Sequence, residues 1–252
     1  MKLLAGLTDT YEFRARLQPF LLVAMPMALA TMVFFEDFSL FQLLAGILAS
    51  LGVTSFLSQI ARDQGKQKEP SLFEAWGGKP TTQLLRHRCK RISEQQKKRY
   101  HEAIKQLVVG VNLPSKREED DMPSEADEVY EVCTAFLREK TRDKSQFPLV
   151  AHENMSYGFR RNLWGMKPVG IVLCIAGLIA SLIGTIWFST TSVSPISIAA
   201  ILINASMVAA WFLRITPEWV KMPAFAYAER LLASCDTLVE TVPKPKSEIL
   251  IP

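Results

Sequence analysis

Residues 168–213 read PVGIVLCIAGLIASLIGTIWFSTTSVSPISIAAILINASMVAAWFL, 46 positions without an Asp, Glu, Lys or Arg. A helix that crosses a bilayer needs about 20 mostly apolar residues. This run is long enough for two, and the polar string STTSVSP at 189–195 divides it. Two shorter uncharged runs lie upstream, 19 residues at 17–35 and 24 residues at 38–61. Runs of this length are rare in soluble cores. The sequence therefore predicts an all-α, polytopic membrane protein with four transmembrane helices in two hairpins. The first run is not a signal peptide on this reading. A long charged flank, YEFRAR, precedes it, no small-residue cleavage site follows, and a second span comes directly after.

Lys and Arg set the orientation. Arg14 and Arg16 precede the first span, and Arg62, Lys66 and Lys68 follow the second. Arg160, Arg161 and Lys167 precede the third, and Arg214 and Lys221 follow the fourth. The opposite loops hold Glu36 and Asp37 and no Lys or Arg. Both termini and the central segment are expected on the cytoplasmic side. Four regions follow: 1–61 with the first hairpin, a mainly helical cytosolic domain at 62–167, the second hairpin at 168–214, and an amphipathic helix and tail at 215–252.

The chain of 252 residues carries 29 Lys and Arg against 25 Asp and Glu, too even a balance to identify a nucleic-acid binder. The distribution says more. Residues 62–105 hold 12 basic and 5 acidic side chains, whereas 118–131 hold eight acidic and no basic ones. The opposed halves pair within a subunit, between subunits, or not at all. In the basic half, Gly77 and Gly78 permit unusual backbone angles and Pro80 drives Lys79 out of the helical region. A helix capped by Thr81 or Thr82 is expected to run to about Val109. In the acidic half, SEAD at 124–127 resembles a capping box. An apolar stripe of Val129, Val132, Cys133, Phe136 and Leu137 follows it. Residues 147–165 are placed at the membrane surface, with Trp164 at headgroup depth and Arg160 and Arg161 toward anionic lipid. The tail helix, with Phe225, Ala228, Leu231, Leu232, Cys235 and Leu238 on one face, is expected to pack on the cytosolic domain.

GGKPTT at 77–82 fails as a nucleotide-hydrolysing loop, because Pro80 separates lysine from threonine and Phe73 stands where a glycine is required. What remains is a basic segment with an aromatic: Trp76, Lys79, Arg86, Arg88, Lys90, Arg91, Lys97 and Lys98, with His87 among them. Cations and a stacking ring are what a nucleotide or single-stranded nucleic acid requires; the plainer reading is a solvated helix face near an anionic membrane. No catalytic constellation, metal-ligand spacing or cofactor motif stands out. Cys89, Cys133 and Cys235 fall on the cytosolic side and Cys174 in a span, and all four are expected as reduced thiols. In the spans, Gly177, Ser181 and Gly184 allow close helix contact. Asn204 makes an interhelical hydrogen bond or lines a water-filled path, and Pro26 is expected to kink the first span. Glu36 and Asp37 cap a turn or, in a symmetric oligomer, form an acidic ring.

ARDQGK at 61–66, continuing to WGGKPTTQLLRHR, and YGFRRNLWGMKP before the third span, with four spans around one insert, resemble the membrane effector subunits encoded beside nucleotidyltransferases in bacterial anti-phage systems, most nearly the Hailong type. The resemblance covers about residues 17–214. It implies an oligomeric channel, a tetramer, held closed by a short single-stranded oligodeoxyadenylate that a partner nucleotidyltransferase makes. Loss of the strand opens the channel and depolarises the cell. The competing expectation is a non-channel membrane scaffold that binds a protein partner through residues 118–131 and the tail helix.

Overall fold

The computed structural model describes residues 13–34, 40–188 and 193–241, with the side chains at 40–55, 57 and 188 excepted. Every element among the described residues is a helix. A π-helical turn, Phe13–Leu17, leads into α1 (Gln18–Phe34). There follow α2 (Leu40–Trp76), α3 (Pro80–Leu85), α4 (Glu94–Leu107), α5 (Lys116–Asp121), α6 (Pro123–Lys140), α7 (Pro148–Gly165), α8 (Lys167–Phe188), α9 (Pro195–Leu213) and α10 (Pro217–Thr241). The chain divides into two compact units, Met1–Leu72 with Met155–Pro223, and Phe73–Asn154 with Ala224–Pro252. The division falls inside the segment read from sequence as 62–167, so its two flanks belong with the apolar helices and the tail helix belongs with its centre.

In the first unit, three helices among the described residues are long and apolar enough to cross a membrane: Phe13–Phe34, Lys167–Trp187 and Pro195–Leu213. The shortest, 19 residues, spans about 28 Å at 1.5 Å per residue, close to the hydrocarbon thickness. Residues 40–61 of the uncharged run form the first part of α2, a 37-residue helix; Glu36 and Asp37 lie outside the described residues. α8 packs on α1 and α9, and α9 packs on α1. The seam explains the packing. Gly170, Cys174, Gly177, Ser181 and Gly184 are buried at alternating four- and three-residue steps, the spacing that keeps one helix face on its neighbour. A side chain at Gly170 would collide with the Trp211 indole, and one at Gly177 would lie 2.7 Å from the Pro26 carbonyl oxygen. Ala176, beside Gly177, is exposed, so the contact runs along 170–177–184. Away from the seam, Val172, Ile179, Ile183 and Ile186 face outward and are 51–79% exposed, the surface a lipid-facing helix presents. Pro26 sits inside a continuous α1 and is buried.

The second unit is a helical core formed by α3, α4, α6 and the later part of α10. Leu84, Leu85, Ile104, Leu137, Leu231 and Leu232 are fully buried, each stabilising the fold by about 1.5–3 kcal/mol. All six tail-helix residues expected to pack inward, from Phe225 to Leu238, do so. Two sequence expectations are corrected. The helix expected from Thr81 to Val109 is two helices, broken at 86–93. Pro80 occupies the first turn of α3 with Lys79 as N-cap, and Ser93 caps α4 by accepting from the Gln96 N–H at 3.2 Å. The capping box belongs to Ser115 and Glu118 at α5, whereas α6 starts at Pro123 without a side-chain cap. Along α6 the inward face is Ala126, Tyr130, Cys133 and Leu137; Val132 points outward and is 59% exposed.

Replacing Gly177 with Val forces β-branched bulk against the Pro26 backbone. Overpacking of this kind costs about 1–3 kcal/mol. Unfolding in mild detergent is expected to show that loss for Gly177→Val, and almost none for Ala176→Val on the exposed side of the same helix.

Candidate polyanion-binding site

The GlyGly pair after Trp76 terminates α2. The Gly78 N–H donates to the Phe73 carbonyl at 2.7 Å and the Gly77 N–H to the Glu74 carbonyl at 3.1 Å, the paired bonds of a Schellman cap. Gly77 and Gly78 take φ +84 and +122, angles that favour glycine. The Gln83 side chain donates to the Trp76 and Gly78 carbonyls at 3.0 and 2.6 Å. The stretch that resembles a phosphate loop is thus a helix stop followed by a proline helix start. Trp76 is 7% exposed and stands edge-on to Phe73, so its ring is packed and not presented for stacking.

Most of the basic segment is neutralised inside the subunit. Arg86 donates to both Asp127 oxygens, Nε to Oδ1 at 2.7 Å and Nη2 to Oδ2 at 2.5 Å, and its Nη1 reaches the Gly77 carbonyl at 2.8 Å. This bidentate pairing with Asp127 raises the guanidinium pKa. Lys79 pairs with Glu131 at 2.6 Å. Arg91 pairs with Glu229 at 2.6 Å and lies over the Phe225 ring. Lys97 is 2% exposed, with its ammonium on the His87 and Cys89 carbonyls at 2.6 and 2.8 Å and on Glu94 at 3.1 Å. At Lys79 and Arg86 the basic and acidic halves of the sequence therefore pair within one chain. Arg88, Lys90 and Lys98 remain exposed, and among the described residues they make no ion pair.

Glu119 belongs to the acidic run 118–131, where the sequence alone gives no sign of its placement. It is 1% exposed and accepts from the His87 N–H at 2.7 Å, the Tyr130 hydroxyl at 2.8 Å and, at 3.4 Å, the Arg88 N–H. Three donors satisfy a buried carboxylate that would otherwise be costly. Its hold on 87–88, and that of Lys97 on the carbonyls of 87 and 89, need backbone groups that a continuous helix would occupy. That is the physical reason for the break at 86–93. Beside it lies a cavity of about 470 Å³ lined by His87, Lys98, His101, Glu102 and Lys105, among others. His87 and His101 rings meet edge to face at 5.0 Å. Each Nε2 faces a carbonyl, Pro114 at 3.0 Å and Leu85 at 2.8 Å, so each carries its proton there. Burial lowers the His101 pKa. His101 and Lys105 escaped sequence reading as part of the site because neither sits in the dense basic cluster; their places one and two turns beyond Lys97, respectively, were the available signal.

Elsewhere, Asn204 is fully buried and donates to the Ser181 hydroxyl at 3.2 Å, with Pro26 O at 3.4 Å. Within this chain it faces neighbouring helices. Arg160 and Arg161 turn into the protein. Arg160 lies over the Trp219 ring and donates to the Trp219 carbonyl at 2.9 Å. Arg161 is 9% exposed and pairs with Glu69 at 2.8 Å. Trp164 is half-buried beneath the Lys167 ammonium. Burial pushes the Cys133 thiol up to about 11 and Cys235 to about 12, which keeps both protonated and poorly nucleophilic. Among the described residues, no group of three or more His, Cys, Asp and Glu could hold a metal ion. Comparisons with protein-family models, curated proteins and solved structures find no match to this chain.

His101 refuses a proton in the folded state that the unfolded chain accepts near pH 6.5. The unfolded state then binds more protons, so stability falls as pH drops below about 6.5. Chemical unfolding from pH 7.5 to 5 is expected to show this acid-side loss. His101→Gln keeps a donor toward the Leu85 carbonyl and is expected to shrink it.

Proposed function

We propose that this chain is an oligomeric membrane effector whose cytosolic unit binds a polyanion, and that the bound polyanion gates an ion-conducting pore. On this reading the run 38–61 is a fourth span, the membrane is a bacterial inner membrane, and both termini and the second unit are cytoplasmic, as the Lys and Arg asymmetry favours. The ligand is a single-stranded oligodeoxynucleotide supplied by a nucleotidyltransferase, and the setting is anti-phage defence. The observation that carries the reading is the unequal treatment of the cations. Lys79, Arg86, Arg91 and Lys97 hold partners, while Arg88 and Lys90 are exposed and Lys98 and Lys105, also exposed, line the 470 Å³ cavity. The paired set builds a rigid frame and the unpaired set keeps its charge for a ligand. The scaffold alternative loses support: the tail helix it would offer has Leu231, Leu232 and Cys235 fully buried, and Glu119, Asp127 and Glu131 of the acidic stretch have internal partners.

A labelled oligodeoxyadenylate tests the reading. The parent is expected to bind with a steep salt dependence, and Arg88→Gln/Lys90→Gln/Lys98→Gln to bind weakly. The slope of log K against log salt is expected to shrink by about 2, at about 0.7 for each phosphate no longer neutralised. Arg117→Gln/Arg138→Gln/Arg142→Gln, an equal charge change elsewhere, should leave the slope nearly unchanged. Equal binding by both triple variants overturns the polyanion site, and planar bilayers that stay silent with and without the strand overturn the pore.

A further inference from the structure

The two sequence segments ARDQGK and YGFRRNLWG, 61–66 and 157–165, meet each other inside the first unit. α2 and α7 cross there on two glycines. A side chain at Gly65 would fall inside that of Asn162, 2.8 Å from its Cα, and one at Gly165 would lie 2.5 Å from the Gly65 nitrogen and the Gln64 carbonyl carbon. Backbone contact this close holds one register between the helices. Around the crossing, Glu69 Oε1 accepts from Arg161 Nη1 at 2.8 Å and from the Tyr157 hydroxyl at 2.9 Å. The Arg161 Nε and Nη2 donate to Asn162 Oδ1 at 3.1 and 2.9 Å. Asn162 Nδ2 in turn donates to the Ala15 carbonyl at 2.7 Å, in the π-helical turn that leads into the first span. Ala15 is 1% exposed and Asn162 likewise 1%. Next to this cluster, Arg160 holds the Trp219 carbonyl and Lys167 the Ile215 carbonyl at 2.7 Å, which ties in the end of α9. One polar cluster therefore fastens α2 and α7 to the turn before α1, and separate bonds from Arg160 and Lys167 hold the segment between α9 and α10.

We propose that Glu69, Tyr157, Arg161 and Asn162 form a latch that keeps the membrane helices in their closed arrangement, and that the pore opens when this latch releases. The second clause rests on the pore reading above; the latch itself does not. A buried ion pair adds little net stability over an apolar contact, but removing one partner strands the other charge out of water. A half-open state is therefore disfavoured, and the cluster is either whole or apart. That all-or-none behaviour is what a gate requires of its restraint, since a packed interface has discrete arrangements and not a continuum. Asn162 holds the Ala15 backbone, so release of the latch uncovers the foot of the first span.

The test is the reactivity of a thiol at position 15. Ala15→Cys is made in the full chain with Cys89→Ser, the other three cysteines being fully buried, and a water-soluble maleimide is applied in detergent. Labelling is expected to be slow, at least tenfold faster with Glu69→Gln or Arg161→Gln, and about threefold faster with Tyr157→Phe, which removes one hydroxyl donor and leaves the ring. The Glu69→Gln/Arg161→Gln pair is expected to label more slowly than the product of its single effects, because no charge is stranded. In vesicles, with the strand present to hold the parent closed, the single variants are expected to pass more ions than the parent. Unchanged labelling in variants with the parent's unfolding midpoint overturns the latch, as does acceleration that only tracks a fall in that midpoint. Faster labelling with no flux from any variant or the parent leaves the latch and overturns the pore. Faster labelling with flux equal to the parent's overturns the link between them.

Discussion

A carboxylate placed where water cannot reach it organises the second unit. Glu119 has to find donors, and it finds them on the backbone at His87 and Arg88 and on the Tyr130 hydroxyl. Those bonds are unavailable inside a helix, so the chain leaves helical geometry after Leu85 and resumes it at Glu94. Lys97 completes the arrangement from the other side by taking the carbonyls of His87 and Cys89. Segment 86–93 is thus fixed through its main chain, which leaves its side chains at Arg88 and Lys90 uncommitted. Rigidity of the backbone and freedom of the charges arise from the same bonds.

The first unit solves a different problem. Lipid offers no hydrophobic drive between apolar helices, so association depends on close van der Waals packing. Gly170, Gly177 and Gly184 provide it by letting Trp211, the Pro26 backbone and Val33 approach α8 directly. Asn204 and Ser181 add one polar bridge at the centre. At the ends of these helices the cations that a sequence reading assigns to headgroups are drawn inward instead. Arg161 and Arg160 each find an oxygen acceptor within the unit, because α7 brings them against α2 and the start of α10 rather than against solvent.

Hydropathy made the apolar helices legible from sequence, since a run without charges has few other stable outcomes. The inward face of the tail helix was equally legible, because Leu231, Leu232 and Cys235 repeat at helical spacing. Charge was not. A Glu in an acidic string and a Lys in a basic string look solvated, yet Glu119 and Lys97 are among the most deeply buried side chains. Their nearest partners lie 32 and 10 positions away and are backbone groups, which carry no sequence signature. Trp76 illustrates the same limit: a ring beside glycines and a lysine reads as a platform, but the glycines are there to end α2 and the ring fills space against Phe73.

The small number of uncommitted cations bears on how the proposed ligand would be held. Three or four exposed basic groups on one subunit make a weak and salt-sensitive site for a polyanion. In the proposed oligomer several copies around an axis would change this, because a strand bound at one subunit would meet the next at high effective concentration. Affinity for the strand then depends on the subunits keeping the spacing that lets it bridge them. A ligand with that requirement binds one arrangement of the assembly better than another, and this difference in affinity is the only means by which binding shifts the equilibrium between arrangements. Internal neutralisation of Lys79, Arg86, Arg91 and Lys97 supports this scheme. A subunit that used every cation for its ligand would repel its own copies once the ligand left, whereas one that pairs most of them can stay assembled and respond.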